Sequence, residues 1–196
     1  MSDPSLDPTD DAATPLTPEE RDGLIPSYIT LRAELNEAEQ IGIADAARWA
    51  FAARRDILDE KALLQLHRRM FKDVWRWAGR FRTTERNIGV PAWRIGPDLH
   101  QLLDDVRYWV EHASYPPDEI AVRFHHQLVL IHPFPNGNGR FSRLAADLLA
   151  VRLGRPRFSW GSGDLVAIDE LRRRYVSALR AADQHEIDPL VIFARS

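Results

Sequence analysis

The stretch HPFPNGNGR, from His132 to Arg140, combines residue types that phosphoryl chemistry requires. An apolar helix is predicted to end at Ile131 and another to begin near Asn138 or Gly139, so this turn leads into a helix N-terminus. The first N–H groups of a helix have no intrahelical acceptors, and Gly137 and Gly139 allow a ligand to approach those groups closely. Because the helix dipole is positive at the same end, the turn is suited to binding phosphate.

Three side chains beside this turn can act on a bound phosphate. Arg140 and Arg143 lie three residues apart on one helix face, where both guanidinium groups can contact phosphate oxygens. His132 stands at the other end of the turn, and an imidazole titrates near neutral pH, as a general base requires. A structural alternative stays open on the residues alone. Asn and Gly are ordinary helix caps, His132 can be a buried histidine, and Arg143 can pair with Asp147.

The elements expected to position the turn are helices. Gly42 predicts a break between two helices in the first helical segment, and Gly79 is a predicted stop for the second. Residues 80–96 contain β-branched and aromatic residues around Gly89 and Pro91, which predicts a short exposed hairpin. The fold class is therefore all-α with one small hairpin. Apolar spacing predicts the helices within residues 27–57, 59–79, 97–113, 116–131, 139–154 and 164–184.

Composition excludes several classes of function. The 196 residues carry a net charge of -3, which gives no basic surface for nucleic acid, and the absence of cysteine excludes disulfides and thiolate metal sites. No apolar run is long enough to span a membrane, and the acidic N-terminus is not a secretory signal. We therefore expect a cytoplasmic protein with no nucleic-acid or membrane partner. Residues 1–22 are acidic and proline-rich, which predicts a flexible tail, and residues 23–196 are predicted to form one domain.

The stretch from His132 to Arg143 resembles the signature of the Fic (Fic/Doc) family, H-P-F-x-[DE]-G-N-G-R-x-x-R. Every defined position matches except residue 136. The resemblance runs from about residue 25 to the C-terminus, and the chain is most similar to the small bacterial branch called mobile mystery protein B. It implies a Fic fold, which is a helical bundle around a central motif-bearing helix pair with a small β-hairpin flap.

The resemblance also implies an activity, that of a protein adenylyltransferase (AMPylator), which transfers AMP from ATP to a Ser, Thr or Tyr hydroxyl of an unknown target protein. His132 would be the catalytic base. The flap, near residues 82–94, would align the main chain of the target by strand-like pairing. The remaining implied residues are the anion hole of Gly137, Asn138 and Gly139, the phosphate-binding Arg140 and Arg143, and the docking residues Thr84, Ile88, Gly89 and Val90.

Asn136 departs from the family pattern, in which an acidic residue at this position holds Mg²⁺ between phosphates. An amide oxygen can bind a hard cation but supplies no charge, so Mg²⁺ (or Mn²⁺) is expected as a weakly held cofactor beside ATP. Three outcomes stay open: a slow ATP-dependent transferase, a transferase with altered donor or metal preference, or a nucleotide-binding protein without activity.

Many Fic proteins are inhibited by a helix with the pattern [ST]-x-x-x-E-[GN]. Thr30 and Glu34 have that spacing, with Leu35 at the Gly/Asn position, so Glu34 is expected to occupy Arg143 and block the γ-phosphate. The alternative is that Glu34 is a solvated acid on an amphipathic helix. The alternative function is a catalytically weak nucleotide-binding protein that acts through a small regulatory partner protein in a toxin–antitoxin-like pair.

Overall fold

Within residues 17–52, 55–162 and 168–196, which the computed structural model describes, the chain forms eight α-helices. The sole β pairing in these ranges is an isolated antiparallel bridge between Leu24 and Trp75. The predicted all-α class is therefore confirmed for this part of the chain, and none of its helices is long and apolar enough to cross a membrane. The helices are α1 (Pro18–Arg21), α2 (Arg32–Ala52), α3 (Glu60–Phe71), α4 (Ile95–Glu111), α5 (Pro117–Ile131), α6 (Asn138–Arg152), α7 (Ile168–Asp183) and α8 (Asp188–Arg195).

The helices α5 and α6 form the centre of the bundle and carry the motif between them. Helix α5 begins with Pro117 and two acids in its first turn, which suit the positive end of the helix dipole. Helix α6 is buried on more than one face, because other helices surround it. Its largest buried apolar residues are Phe141, Leu144 and Leu149. The motif turn is thus held between two packed helices.

Helix α2 runs without a break through Gly42, so the predicted interruption at this residue is wrong. A Cβ atom at position 42 would collide with the carbonyl oxygen of Met70 in α3. The glycine therefore allows α2 and α3 to approach closely, and the helix tolerates its lower propensity because packing compensates. Helix α3 ends at Phe71, earlier than the stop predicted at Gly79.

The N-terminal boundary also differs from the prediction. Residues 1–16 lie outside the described part of the chain, but Thr17 caps helix α1 and forms a capping box with Glu20. The backbone carbonyl of Glu20 accepts a hydrogen bond from Trp77, and its carboxylate pairs with Arg86. The ordered domain therefore begins before residue 23.

No strand forms in residues 80–94, so the predicted hairpin flap is not found there. These residues are an irregular loop followed by a short 3-10 helix at Ala92–Arg94. Backbone bonds from Arg82 N–H to the Pro133 carbonyl (2.9 Å) and from Val90 N–H to the Ile131 carbonyl (3.4 Å) hold the loop against the start of the motif. Two backbone N–H groups of the loop are thus paired with carbonyls of the motif segment and not with a partner strand.

Candidate active site

His132 directly follows α5 and takes a left-handed backbone conformation with φ of 53°. This conformation turns the chain out of the helix while its N–H still bonds to the Leu128 carbonyl at 3.1 Å. Burial, followed by the positive charge of Arg82, lowers the pKa of His132 to about 4. The imidazole is therefore neutral at physiological pH, and its pKa lies below the near-neutral value expected from the sequence.

Arg82 holds the flap residues against the motif. Its guanidinium Nε donates to the His132 carbonyl at 2.7 Å, and its other nitrogens donate to the carbonyls of Thr84 and Val90. The residue is only 2% exposed, so these bonds are shielded from solvent. Arg82 thus fixes the backbone of His132, a role that the sequence analysis did not identify.

The four predicted docking residues lie around the Arg82 side chain. A Cβ atom at Gly89, where φ is +108°, would stand 2.6 Å from the Cβ of His132, so only glycine fits there. Val90 is partly buried against the core, Ile88 is half-buried, and the Thr84 hydroxyl donates to the Glu20 carboxylate at 3.2 Å. The structure therefore brings Gly89 directly beside His132, while Thr84 faces α1.

The motif loop is held together by its own side chains. The Asn138 amide, 3% exposed, accepts from the Phe134 N–H at 2.9 Å and donates to the Phe134 carbonyl at 2.8 Å. Gly137 has φ of 78°, and a Cβ there would lie 2.5 Å from the ring of Phe71. The loop is therefore tightly packed at the start of α6.

A second residue missing from the sequence analysis, His67 of α3, supports this loop from below. The Gly79 N–H donates to its Nδ1 at 2.9 Å, which leaves Nε2 as the donor to the Asn136 carbonyl at 3.1 Å. The ring stacks on Phe134 with 3.6 Å between centroids. Complete burial lowers the pKa of His67 to about 3, so this neutral tautomer persists at physiological pH.

Arg140 and Arg143 lie in the first two turns of α6, beside N–H groups that have no intrahelical acceptor. The Arg140 guanidinium donates to the Glu39 carboxylate at 2.7 Å. The second Glu39 oxygen accepts from Trp75 Nε1 at 2.8 Å. Arg143 bonds through Nε to the Gly139 carbonyl at 3.2 Å and lies 5.5 Å from the ring centre of Tyr175. Cations and helix N–H groups thus converge on one end of α6.

Glu34 occupies a different place from the one predicted. Its carboxylate accepts hydrogen bonds from the backbone N–H groups of Thr30 (2.8 Å) and Leu31 (3.0 Å), at the start of its own helix. These bonds lower the pKa of Glu34, as expected for a capping carboxylate. The carboxylate of α2 that contacts a motif arginine is Glu39, and the arginine is Arg140. Glu34 lies in the first turn of the continuous helix α2, and for this reason its carboxylate binds the N–H groups at the start of that helix.

The Asn136 amide oxygen accepts from the Gly137 N–H at 2.5 Å, so it is turned into the loop. Among the described residues, no group of three or more His, Asp or Glu side chains is arranged to hold a metal ion. The residues present therefore do not fit a metal held by protein carboxylates. A divalent cation would therefore depend mainly on the phosphates of the nucleotide.

Two histidines of α5 beside the motif have separate partners. His125 Nε2 lies 3.1 Å from the Tyr175 hydroxyl, and His126 Nε2 lies 2.8 Å from the Asp183 carboxylate. Burial is the main cause that lowers the pKa of His125 to about 3 and raises that of Tyr175 to about 12. Both groups of the first pair are neutral, which supports a packing role under Arg143.

Two clefts, each of about 790 Å³, flank the motif. The flap cleft lies between α4, α5 and the end of α7, and reaches Gly89, Val90 and Ile131 next to the histidine. The arginine cleft lies between α2 and α6 and includes Arg140 and Arg143. One cleft therefore adjoins the predicted base and the other adjoins the predicted phosphate ligands.

A sequence profile of the Fic/DOC family matches residues 57–150, from the turn before α3 into α6. The chain belongs to the Fic/DOC family. The protein adenylyltransferase Fic of Aedes aegypti is 31% identical over 165 residues, which are 79% of this chain and 31% of that relative. The protein adenylyltransferase Fic of Drosophila virilis is 36% identical over 140 residues, 68% of this chain and 27% of the relative. The chain thus spans less than a third of the length of these curated relatives.

Solved structures show the same fold. Fic-1 (residues 134–508) from Caenorhabditis elegans has a TM-score of 0.67 and 26% identity, covering 90% of this chain and 52% of that one. The N-terminal Fic domain of a putative cell filamentation protein from Bartonella quintana, solved with bound ADP, has a TM-score of 0.66 and 19% identity, covering 90% and 94%. The BepC protein of Bartonella tribocorum, solved with bound AMPPNP, has a TM-score of 0.65 and 19% identity, covering 91% and 97%.

Proposed function

We propose that the Fic chain is a protein adenylyltransferase that transfers AMP from ATP to a Ser, Thr or Tyr hydroxyl of another protein. The observation that carries this proposal is the pairing of a neutral, buried His132 with the open N-terminus of α6 and its two arginines. The relatives named protein adenylyltransferase and the Bartonella structures with bound ADP and AMPPNP are consistent with nucleotide binding by this chain.

The chemistry of transfer follows from these groups. The target hydroxyl oxygen attacks the α-phosphorus of ATP, and His132 accepts the hydroxyl proton. The bond between the α-phosphorus and its bridging oxygen breaks, and pyrophosphate leaves. The N–H groups of Asn138 and Gly139 would stabilise charge on phosphate oxygens, and Arg140 and Arg143 would stabilise the charge of the leaving group. Arg82 and His67 would contribute by holding the backbone on both sides of the reaction centre, through hydrogen bonds to the His132 and Asn136 carbonyls.

The target would approach through the flap residues. Val90 and Gly89 line the flap cleft together with Ile131, so a target side chain entering there would contact residues that adjoin His132. The loop is not a strand in this structure, and strand-like pairing would form only when a target segment supplies the missing partner.

Autoinhibition would operate through Glu39. Its buried carboxylate already bonds to Arg140, a cation that the donor phosphates need. A phosphate and Glu39 therefore compete for the same guanidinium, and the chain would turn over slowly until α2 moves or the carboxylate is neutralised. When bound with ATP, Mg²⁺ or Mn²⁺ would supply part of the positive charge that Arg140 cannot offer to the phosphates while it is paired with Glu39.

Asn136 favours a second candidate, a nucleotide-binding protein with weak transfer activity that acts through a small partner protein. The amide supplies no charge and is hydrogen-bonded within the loop. The test of both candidates is label transfer from ATP carrying a labelled α-phosphate, compared with nucleotide binding by the same sample. Transfer that His132→Ala abolishes supports the enzyme, and tight binding without transfer supports the second candidate.

A further inference from the structure

The carboxylate of Glu20, in the short helix α1, contacts the flap loop (residues 82–91) at two points. One oxygen accepts a hydrogen bond from the Thr84 hydroxyl at 3.2 Å, and the other forms an ion pair with the Arg86 guanidinium. These partners lie 64 and 66 residues away in the sequence, so the contacts join two distant segments. Helix α1 is therefore attached to the loop that contains the predicted docking residues.

The ion pair between Glu20 and Arg86 is shielded from solvent. Only 6% of the Arg86 side chain and 11% of the Glu20 side chain are exposed. Arg86 Nε is also buried, and it has no hydrogen-bond partner within the described part of the chain. A buried guanidinium is strongly destabilised when its counter-ion is removed, because the charge is then neither hydrated nor paired. The position of Arg86 therefore depends on the charge of Glu20.

Glu20 is itself held in place by its neighbours. Its carboxylate accepts from the Thr17 N–H at 2.9 Å in the capping box, and its backbone carbonyl accepts from Trp77 Nε1 at 3.0 Å. The attachment continues beyond α1, since the Arg76 N–H bonds to the Gly23 carbonyl at 2.9 Å. The Glu20 carboxylate thus projects from a fixed backbone and can serve as a support for the loop.

The two arginines of the flap loop act on His132. Burial is the largest cause of the lowered pKa of His132, and the positive charges of Arg82 and Arg86 lower it further. Burial also lowers the pKa of Arg82, and the nearby charge of Arg86 adds to this effect. The carboxylates of Glu85 and Glu20 shift that pKa in the opposite direction. Glu20 therefore offsets part of the repulsion between two cations that lie beside the predicted base.

We propose that Glu20 is a positioning residue for the proposed transfer reaction: it holds Thr84 and Arg86, and thereby fixes the flap loop beside His132. This inference rests on the proposed function, in which the target approaches through the flap. In this role Glu20 acts through the loop and contacts neither the nucleotide nor the target. It lies outside residues 57–150, which match the family profile, so part of the support for the loop comes from outside the matched region.

The first test measures the transfer rate in the Glu39→Gln background, in which activity is expected to be highest. Glu20→Gln keeps the shape of the side chain and removes its charge. We expect it to lower the initial rate of transfer from α-labelled ATP to lysate proteins by about tenfold, and to leave ADP affinity within about twofold, because its contacts are with the flap loop. Glu19→Gln, which removes an exposed charge from the same helix, is the matched control and should change neither value. A rate within about twofold of the parent, or an equal loss of ADP affinity, would overturn the inference.

A double-substitution cycle with Arg86→Gln separates one shared role from two independent ones. If Glu20 acts through Arg86, the double variant should be no slower than the slower single variant, within about twofold. Rate losses that multiply would overturn the inference, since they would show that the two residues act separately. Thr84→Val, which removes one hydrogen bond and keeps the ion pair, should cause a smaller loss in the same direction, while Thr83→Val, at an exposed neighbour, should cause none.

The amide NMR spectrum tests the same inference without any transfer reaction. Chemical shifts report the conformation of the folded protein, so they do not simply follow its stability. Glu20→Gln should move the amide signals of Gly89 and Val90, which adjoin the motif, as well as those of α1. Changes confined to α1 and to its contact residues Thr84 and Arg86 would overturn the inference. If no variant transfers label, the proposed function fails, and these shifts alone decide whether Glu20 positions the loop.

Discussion

The Glu39 carboxylate of α2 lies 2.7 Å from the Arg140 guanidinium of α6 and is only 3% exposed. A buried carboxylate so close to a guanidinium forms a charge-assisted hydrogen bond, which is stronger than a neutral one. The same guanidinium belongs to the helix N-terminus at which phosphate is expected. The Glu39 carboxylate and the phosphates of the proposed substrate therefore compete for the same Arg140 guanidinium.

Glu39→Gln should raise the rate of AMP transfer by about tenfold or more, since a charge-assisted hydrogen bond contributes about 1.5–3 kcal/mol. The glutamine amide can still accept from Trp75, so the fold should survive. The measurement is the initial rate with α-labelled ATP. Glu34→Gln is the matched control on the same helix and should leave the rate unchanged while loosening the helix start. Activation by Glu34→Gln but not by Glu39→Gln would restore the original assignment.

His67→Phe should lower the transfer rate more than it lowers stability. The phenylalanine keeps the stacking on Phe134 but leaves the Asn136 carbonyl and the Gly79 N–H unsatisfied, at about 1–3 kcal/mol for each buried group. Assays well below the melting temperature separate the two effects, and the expected signature is a reduced kcat with little change in ADP affinity. His112→Phe, at an exposed histidine, is the control. A rate that simply follows the folded fraction would show that His67 has no positioning role.

Stability should fall as the pH decreases from 7 to 5.5. The folded pKa values of His67 and His125 are about 3, and that of His132 is about 4, all below the ordinary histidine pKa of about 6.5. In this window the unfolded chain binds protons that the native chain does not, so the free energy of unfolding decreases with falling pH. The slope approaches about 1.4 kcal/mol per pH unit for each histidine once the pH is well below 6.5. Urea unfolding at the two pH values checks this, and a flat or opposite trend would contradict the buried neutral histidines.

Asn136→Asp should strengthen the dependence on Mg²⁺ and raise the transfer rate with ATP by about tenfold, because a carboxylate adds negative charge at the motif position proposed to contact the cation. The aspartate can still accept from the Gly137 N–H, so the loop conformation is retained. Asn87→Asp, at an exposed residue of the flap loop, is the control for added charge. Unchanged Mg²⁺ affinity together with an unchanged rate would exclude a metal role for position 136.

The central helices and the motif turn were predictable because their signals are local. Pro117 marks the start of α5, and glycines mark the turn before α6. The break at Gly42 was predicted wrongly because a glycine can mark either the end of a helix or a close contact between helices. Here the glycine is needed for the close approach of Met70 in α3. His67 was identifiable in principle, since it lies four residues after Leu63 on the buried face of α3.

The remaining errors depend on contacts distant in sequence. Glu39 and Arg140 are 101 residues apart, and no spacing rule distinguishes Glu39 from Glu34 on the same helix. Arg82 has no local sequence signal for its role, which is to bind carbonyls on two segments, the flap loop and the motif. Sequence patterns predict individual elements, whereas Arg82 and Arg140 form hydrogen bonds between different elements.

The most direct test of the proposed function is label transfer from ATP to protein, with the label on either the α- or the γ-phosphate. Glu39→Gln protein is incubated with Mg²⁺ and a cell lysate, and compared with Glu39→Gln combined with His132→Ala. An adenylyltransferase predicts protein labelled from the α-phosphate alone, and no labelling when His132 is replaced. Labelling from the γ-phosphate, or α-labelling that persists without His132, would contradict the proposed reaction.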